Sequence, residues 1–166
     1  TVFQYKSCVD AGACEVPGTT TYCNWGIAGR ETHPINCVSW EDAKEFVDWL
    51  NSEDSVTTYS LPSETQWEYA ARSLGQNLLY PWGDQEVSCD RAIIRDGGFG
   101  CGRVSTSPVC SRSDTDQVNV PSTETGDSDQ GICDLIGNVA EWTLDWWSVT
   151  YRDKPSNGAP YEGSSG

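Results

Sequence analysis

The chain has 166 residues, with ten basic and 25 acidic side chains and a formal net charge of −15. A field of this sign disfavours nucleic acid and anionic membrane surfaces and favours cations or basic partners, although it is also typical of a chain that is merely very soluble. No apolar run approaches the roughly 18 residues of a membrane span, so we expect no membrane insertion. The length predicts one domain, and eight Trp, seven Tyr and three Phe supply bulky core material.

The first half of the chain carries the regular structure that we predict. Residues 1–38 are interpreted as loop-rich, because glycine and proline punctuate them. A first helix is predicted over residues 40–51, where Ser39 and Asp42 form a capping box and apolar residues recur with the helical period. The stripe expected to face the core consists of Trp40, Ala43, Phe46, Val47 and Leu50.

A short extended piece, 57–61, leads to a second predicted helix over residues 64–74. Ser63 and Gln66 form its capping box, and Gly75 ends it. The core-facing stripe predicted for this helix consists of Trp67, Ala70, Ala71 and Leu74.

Beyond this helix the sequence predicts little regular structure. Residues 80–84 read as a turn packed by aromatic rings, and residues 85–131 as an irregular loop region held by covalent cross-links. The acidic stretch 114–129 is interpreted as a solvated face, with a second cation site as the alternative.

The cysteines indicate the cellular compartment. None of them belongs to a CxxC pair and His33 is the single histidine, so a structural zinc site is not expected. A disulfide framework in an oxidising compartment accounts for them better, which predicts an extracellular, cell-surface or periplasmic location. The eight are Cys8, Cys14, Cys23, Cys37, Cys89, Cys101, Cys110 and Cys133.

Local spacing favours two of the disulfide pairs, Cys8 with Cys14 and Cys23 with Cys37. The remaining four cysteines are expected to pair among themselves within residues 89–133, in a connectivity that the sequence leaves open.

Several enzyme classes find no support in the residues. A Ser-His-Asp or Cys-His arrangement would need His33 as its base, and the following proline indicates a turn instead. The glycines of residues 97–100 lack the lysine and helix of a phosphate-binding loop. Among 25 acids, no pair stands out as glycosidase-like.

A candidate cation site lies near the end of the chain, in residues 134–142. Asp134 and Glu141 bracket a Gly-Asn turn at positions 137 and 138, which can bend the backbone so that its carbonyls face the same point as the acids. Such hard oxygen ligands suit calcium, which accepts six to eight of them.

Four segments, in order along the chain, carry a family resemblance. They are residues 33–43 (HPINCVSWEDA), 61–72 (LPSETQWEYAAR), 80–84 (YPWGD) and 137–142 (GNVAEW). Together they resemble motifs of the formylglycine-generating enzymes, or sulfatase-modifying factors, and the cysteine-rich insertions resemble those of secreted bacterial members. The resemblance implies a variant of the C-type lectin fold. We therefore expect an α+β fold with little regular structure, two main helices, short antiparallel strands and disulfide staples.

The resemblance implies calcium as a cofactor and also implies which residues bind it. The family's pattern places a side chain before the Gly-Asn turn, two carbonyls within it and a glutamate after it. These positions correspond to Asp134, Gly137, Val139 and Glu141. The alternative is that Glu141 and Asn138 only satisfy backbone groups of the loop.

A second calcium site of the family would use positions near Asp90 and Arg91. Its other ligand positions carry Cys101 and Arg103, which do not match. We expect a disulfide to replace this site.

The family's oxidase chemistry depends on a copper ion held by two closely spaced cysteines in a downstream Gly-Gly-Ser and Arg-rich stretch. No such stretch occurs up to Gly166, so copper is expected only if a missing segment supplies it. We accordingly interpret residues 1–166 as a single domain that lacks the family's N-terminal strand and C-terminal closing segment.

Two functional hypotheses follow from these observations. The first is a non-catalytic, extracellular, calcium-stabilised lectin-like module that binds a protein or glycan ligand at a surface, or neighbouring subunits of an assembly. Residues 85–131 would form its display surface, and Trp146 and Trp147 are either exposed contact residues or, as we favour, buried against the calcium loop. The alternative is a fragment of a copper-dependent formylglycine-generating oxidase that matures sulfatases.

Overall fold

The computed structural model describes residues 1–95, 100–113, 125–151 and 154–163. Three helices form its regular structure: α1 (Val2–Asp10), α2 (Trp40–Glu53) and α3 (Glu64–Ala71). No helix among the described residues is both long and apolar enough to cross a membrane.

Pairing between extended segments is minimal in the part of the chain that the structure describes. It consists of an antiparallel bridge between Tyr80 and Gly83 and a parallel bridge between Ile93 and Gly137. The expectation of little regular structure is confirmed, whereas the predicted short antiparallel strands reduce there to these isolated bridges.

Helix α1 corrects the prediction that residues 1–38 are loop-rich. Thr1 caps the helix: its hydroxyl accepts the amide proton of Gln4, whose side chain in turn accepts from the Thr1 amine. Val2, Tyr5 and Cys8 lie on the buried face of α1. The capping box and this three-residue spacing are a helix signal that the surrounding glycine and proline obscured.

Both predicted capping boxes are confirmed. Ser39 accepts from the Asp42 amide at the start of α2, and Ser63 accepts from the Gln66 amide at the start of α3. Helix α2 extends two residues beyond the predicted end, to Glu53.

Helix α3 ends at Ala71, three residues earlier than predicted. Ser73 and Leu74 take up positive φ values of 45° and 65°, which no α-helix accommodates. Ser73 is buried, and its hydroxyl donates to the carbonyl of Pro81 at 2.8 Å. Leu74 consequently points away from the core and is 53% exposed, contrary to its predicted burial.

The main hydrophobic cluster lies between α1 and α2. Tyr5, Cys8 and Cys14 form its buried centre. The Tyr5 ring stacks on Phe46 at a centroid distance of 5.5 Å and meets Trp25 edge-on at 6.1 Å. The predicted α2 stripe does face inward, with Val47 buried and Phe46 packed against the cluster.

All eight cysteines form disulfides, and none is free. The predicted pairs Cys8–Cys14 and Cys23–Cys37 are present in the structure. The pairing left open by the sequence is Cys89–Cys101 and Cys110–Cys133. This framework indicates an oxidising compartment.

Candidate metal centre

The candidate site lies in the 134–147 loop, which the starts of α2 and α3 hold in place. The indole of Trp40 donates to the carbonyl of Thr143 at 2.8 Å, and the indole of Trp142 donates to the carbonyl of Val38 at 3.1 Å. The Leu144 amide donates to the carbonyl of Pro62 at 2.9 Å. These three bonds fix the loop relative to both helices, since each joins residues more than 80 positions apart in the chain.

Asp145 ties the same loop to the N-terminus of α3. Its Oδ2 accepts the backbone amide proton of Glu64 at 2.7 Å, and its Oδ1 accepts that of Tyr161 at 2.9 Å. A carboxylate at this end of a helix is favoured by the helix dipole and satisfies one of the unpaired amides of the first turn. No sequence signal indicated this role, because Asp145 and Glu64 are 81 residues apart.

The turn at Gly137 is shaped by its contact with Ile93. Asp134, Gly137 and Asn138 all have positive φ, at 57°, 83° and 61°. The Asn138 amide donates to the Ile93 carbonyl at 2.9 Å, and a Cβ atom on Gly137 would lie 2.3 Å from that carbonyl oxygen. Only glycine fits at position 137, because both the φ angle and the close backbone approach exclude a side chain.

Asp134 is positioned from a second segment of the chain. Its Oδ2 accepts the backbone amide proton of Cys110 at 2.8 Å. Asn138 holds the same segment, accepting from the Ser107 amide at 3.0 Å and donating to the Ser107 carbonyl at 3.2 Å. Asn138 therefore satisfies backbone groups of Ser107, which lies outside the 134–142 loop.

Glu141 lies on the other side of the loop. Its Oε2 accepts the indole proton of Trp67, a residue of α3. The side chain is exposed, so its carboxylate is accessible to a cation from solvent.

An open cavity of about 870 Å³ lies beside this loop. Asp134, Gly137, Val139 and Glu141 all line it. Carboxylate and carbonyl oxygens are the donors that calcium prefers, so the residues present fit this ion. The aromatic side chains of the same wall are Trp40, Trp67, Trp142, Trp146, Trp147 and Tyr151.

Among the described residues, three or more ligand-type side chains of His, Cys, Asp or Glu converge within 4.8 Å at one place, formed by Cys110, Cys133 and Asp134. The two sulfurs there belong to a disulfide, which is not a metal ligand. A calcium ion at this loop would thus depend on the backbone carbonyls as well as on the carboxylates.

A family model of the sulfatase-modifying factor enzyme 1-like domain matches residues 1–165. The chain belongs to this family. It is 35% identical over 126 residues to the formylglycine-generating enzyme of Mus musculus, covering 74% of this chain and 30% of that protein. It is 30% identical over 128 residues to the inactive C-alpha-formylglycine-generating enzyme 2 of Bos taurus, covering 77% of this chain and 38% of that protein.

The fold agrees with this membership. PvdO from Pseudomonas aeruginosa superposes with a TM-score of 0.69 at 25% identity, covering 96% of this chain and 58% of that one. The chain spans about a third of the length of the two curated relatives.

Copper, the other metal that the family resemblance implies, does not fit these residues. Copper held by cysteines needs free thiolates. All eight cysteines of this chain form disulfides, so none of them offers a thiolate to copper.

Cys101, at one of the positions that the family pattern gives to a second calcium site, is bonded to Cys89. That this disulfide replaces the site stays a prediction. The acidic stretch 114–129 falls largely outside the described residues, which omit 114–124.

The Trp pair is placed differently from our favoured expectation. Trp146 is 70% exposed and Trp147 84% exposed, so neither is buried against the 134–142 loop. Both residues line the cavity while most of their surface is exposed. The alternative interpretation, that they are exposed, is therefore the correct one.

Lys154 and Glu64 form an ion pair in the lining of the cavity. The Lys154 side chain is 8% exposed, and its ammonium contacts the Glu64 carboxylate and lies 4.6 Å from the centroid of the Tyr151 ring. The Tyr151 hydroxyl also donates to Glu64, at 2.5 Å. Hydrogen bonds from Lys154 and then Tyr151 hold the pKa of Glu64 below its usual value.

Replacing Glu64 with glutamine is expected to lower the free energy of unfolding by about 1–3 kcal/mol, because Lys154 is left buried without its counter-charge. Lys154→Met should cost less, since Glu64 retains partial access to water. The pKa of Glu64 is lower in the folded protein than in the unfolded chain. The ion pair therefore stabilises the fold at pH values above the unfolded-state pKa of Glu64, and this stabilisation is lost as the pH falls through the folded-state pKa. Urea unfolding at pH 7 and pH 3 measures the free energy of unfolding of each variant and its dependence on pH. Equal losses of unfolding free energy in Glu64→Gln and Lys154→Met would contradict the prediction that Glu64→Gln costs more.

Proposed function

We propose that this chain is a non-catalytic, calcium-stabilised module of the formylglycine-generating-enzyme family that acts outside the cytosol. The observation that carries this proposal is the cavity shared by Asp134, Gly137, Val139 and Glu141. Calcium bound there would join Asp134 to Glu141 through their carboxylate oxygens and neutralise two of the many acidic charges. The four disulfides support a location at the cell surface, in the periplasm or in the extracellular medium.

A binding role is supported by the aromatic edge of the same cavity. Trp146 and Trp147 expose most of their surface, and exposed aromatic clusters beside a cavity are typical of interaction sites. The partner we propose is a protein or glycan at a surface, or a neighbouring subunit of an assembly, presented to a lectin-like fold.

Calcium-dependent stability tests the proposal. Chelator-treated protein should gain about 2.7 kcal/mol of unfolding free energy at a calcium concentration 100 times the dissociation constant. Glu141→Gln should abolish most of this gain, because the amide oxygen can still accept from Trp67 while the ligand charge is lost. Thermal unfolding with and without calcium measures the gain.

Glu86→Gln is the matched control, because Glu86 is exposed and lies outside the cavity. Its calcium response should equal that of the wild type. A wild type without any calcium response, or a Glu141→Gln variant with the full response, would refute the calcium site.

A second candidate function is favoured by the 35% identity to a protein named formylglycine-generating enzyme. On this alternative the chain would be part of a copper-dependent oxidase whose thiolates lie outside these 166 residues. Copper(I) binding by the product of the complete gene, lost on replacing two further cysteines, would favour the oxidase over the non-catalytic module.

A further inference from the structure

We propose that the Cys110–Cys133 disulfide positions the Asp134 carboxylate, so that the calcium affinity of the 134–147 loop depends on this one cross-link. The inference rests on the proposed calcium site. It goes beyond that site by assigning to one disulfide a role in binding as well as in stability.

The two ends of the cross-link hold the same carboxylate. Cys133 precedes Asp134 directly in the chain, so the covalent bond fixes the backbone from which this side chain projects. Cys110, the other half of the bridge, donates its backbone amide proton to Asp134 Oδ2 at 2.8 Å. With Oδ2 engaged in this way, the rotation of the carboxylate is restricted and Oδ1 is the oxygen presented to calcium.

The backbone at both points is in a conformation that needs support. Asp134 has φ of 57° and Cys110 has φ of 56°, in the left-handed region that non-glycine residues rarely adopt. Such residues persist only where surrounding contacts over-determine them. The disulfide, together with the bond from the Cys110 amide to Asp134, supplies those contacts.

Asn138 forms a second connection between the same two segments. Its side chain bonds the amide and the carbonyl of Ser107, three residues before Cys110, and Ser107 is buried. Segment 107–110 is thus attached to the loop near both predicted carboxylate and carbonyl ligands. Without the cross-link, the two segments are still connected by hydrogen bonds, from the Asn138 side chain to Ser107 and from the Cys110 amide to Asp134.

The Cys8–Cys14 disulfide does not contact the proposed calcium ligands. Cys8–Cys14 lies in the α1 cluster, and neither of its cysteines lines the cavity. It closes a short loop, with a sequence separation of 6, against 23 for Cys110–Cys133. It therefore provides a control that removes a disulfide while leaving the Asp134 carboxylate in place.

The test compares two double variants, Cys110→Ala with Cys133→Ala and Cys8→Ala with Cys14→Ala. Groups that orient a metal ligand typically contribute 10- to 100-fold to affinity. We expect calcium to bind about 10- to 100-fold more weakly to the first variant, and with little change to the second. Titration calorimetry gives the dissociation constants, and thermal unfolding without calcium gives the separate effect on stability.

Cys110→Ser with Cys133→Ser keeps the proposal testable if the alanine variant does not fold, because each sulfur is replaced by a hydroxyl that can still form hydrogen bonds. Asn138→Gly tests the second connection between the two segments. Glycine accepts the positive φ at this position, so the substitution does not strain the turn. It removes the two bonds to Ser107 and the bond that Asn138 Nδ2 donates to Asp134 Oδ2 at 3.4 Å. We expect a weakened calcium affinity here too, with the disulfide intact.

The outcomes separate the two proposals. A wild type that binds no calcium refutes the proposed function and this inference with it. A wild type that binds calcium, with equal affinity in the folded Cys110/Cys133 variant, overturns the positioning role alone.

Discussion

Replacing Gly137 with alanine is expected to lower the free energy of unfolding by about 2–5 kcal/mol and to weaken calcium binding. The left-handed conformation costs an L-residue about 1–2 kcal/mol, and forcing a methyl group into packed structure costs about 1–3 kcal/mol more. The added Cβ would lie 2.3 Å from the Ile93 carbonyl oxygen, a backbone atom that no rotamer change can move. Relieving this clash must displace the turn that carries two of the proposed ligands, Gly137 and Val139.

Gly131→Ala is the matched control for this substitution. Gly131 also has a positive φ, 72° against 83° for Gly137, but a Cβ there would meet nothing within 4 Å. It should therefore cost only the conformational part, about 1–2 kcal/mol, and leave the calcium response intact. Urea unfolding followed by tryptophan fluorescence measures both variants, and equal losses would show that the contact with Ile93 does not constrain the loop.

Tyr5→Ala is expected to cost about 3–5 kcal/mol, as truncation of a buried aromatic residue typically does. Tyr5 is 1% exposed and joins α1 to α2 through its stacking on Phe46, with Trp25 at its edge. A loss of this size is a large fraction of the stability of a typical domain. Calorimetric unfolding measures it, and a cost below about 1 kcal/mol would contradict the placement of α1 in the core.

Tyr5→Phe separates the ring from its hydroxyl. The hydroxyl donates to the Glu15 carbonyl at 3.3 Å, so its removal should cost only about 0.5–1.5 kcal/mol. Burial, followed by the nearby carboxylates Asp42, Glu45 and Glu15, raises the pKa of Tyr5 to about 12. Because the pKa of Tyr5 is higher in the folded protein than the value near 10 of the unfolded chain, the neutral hydroxyl stabilises the fold below pH 10. This contribution to the free energy of unfolding is lost as the pH rises towards 12. The wild type should therefore lose more stability than Tyr5→Phe across that range.

Local signals in the sequence predicted much of the helical structure. The capping boxes at Ser39 and Ser63 use residues three positions apart, so a short stretch of chain contains the whole interaction. The same box at Thr1 was available but lay beside a glycine- and proline-rich stretch, and α1 was missed. At the end of α3 the local pattern continued, while the tertiary bond from Ser73 to Pro81 ended the helix.

The four residues of the predicted calcium site are close in sequence, and the site itself stays a prediction. Asp134, Gly137, Val139 and Glu141 fall within eight positions, and all four line one cavity. The residues that hold this loop come from elsewhere in the chain, and no local pattern indicates them. Asp145 binds the start of α3, and Cys110 and Ser107 reach the loop because of a disulfide whose pairing the sequence left open.

The most direct test of this account is a crystal structure of the protein grown with calcium. A calcium site in the 134–147 loop predicts one ion within about 2.3–2.6 Å of carboxylate oxygens of Asp134 and Glu141 and of the carbonyls of Gly137 and Val139. Its anomalous signal should disappear in crystals of Glu141→Gln. An ion bound elsewhere, or none in this loop at saturating calcium, would contradict the assignment.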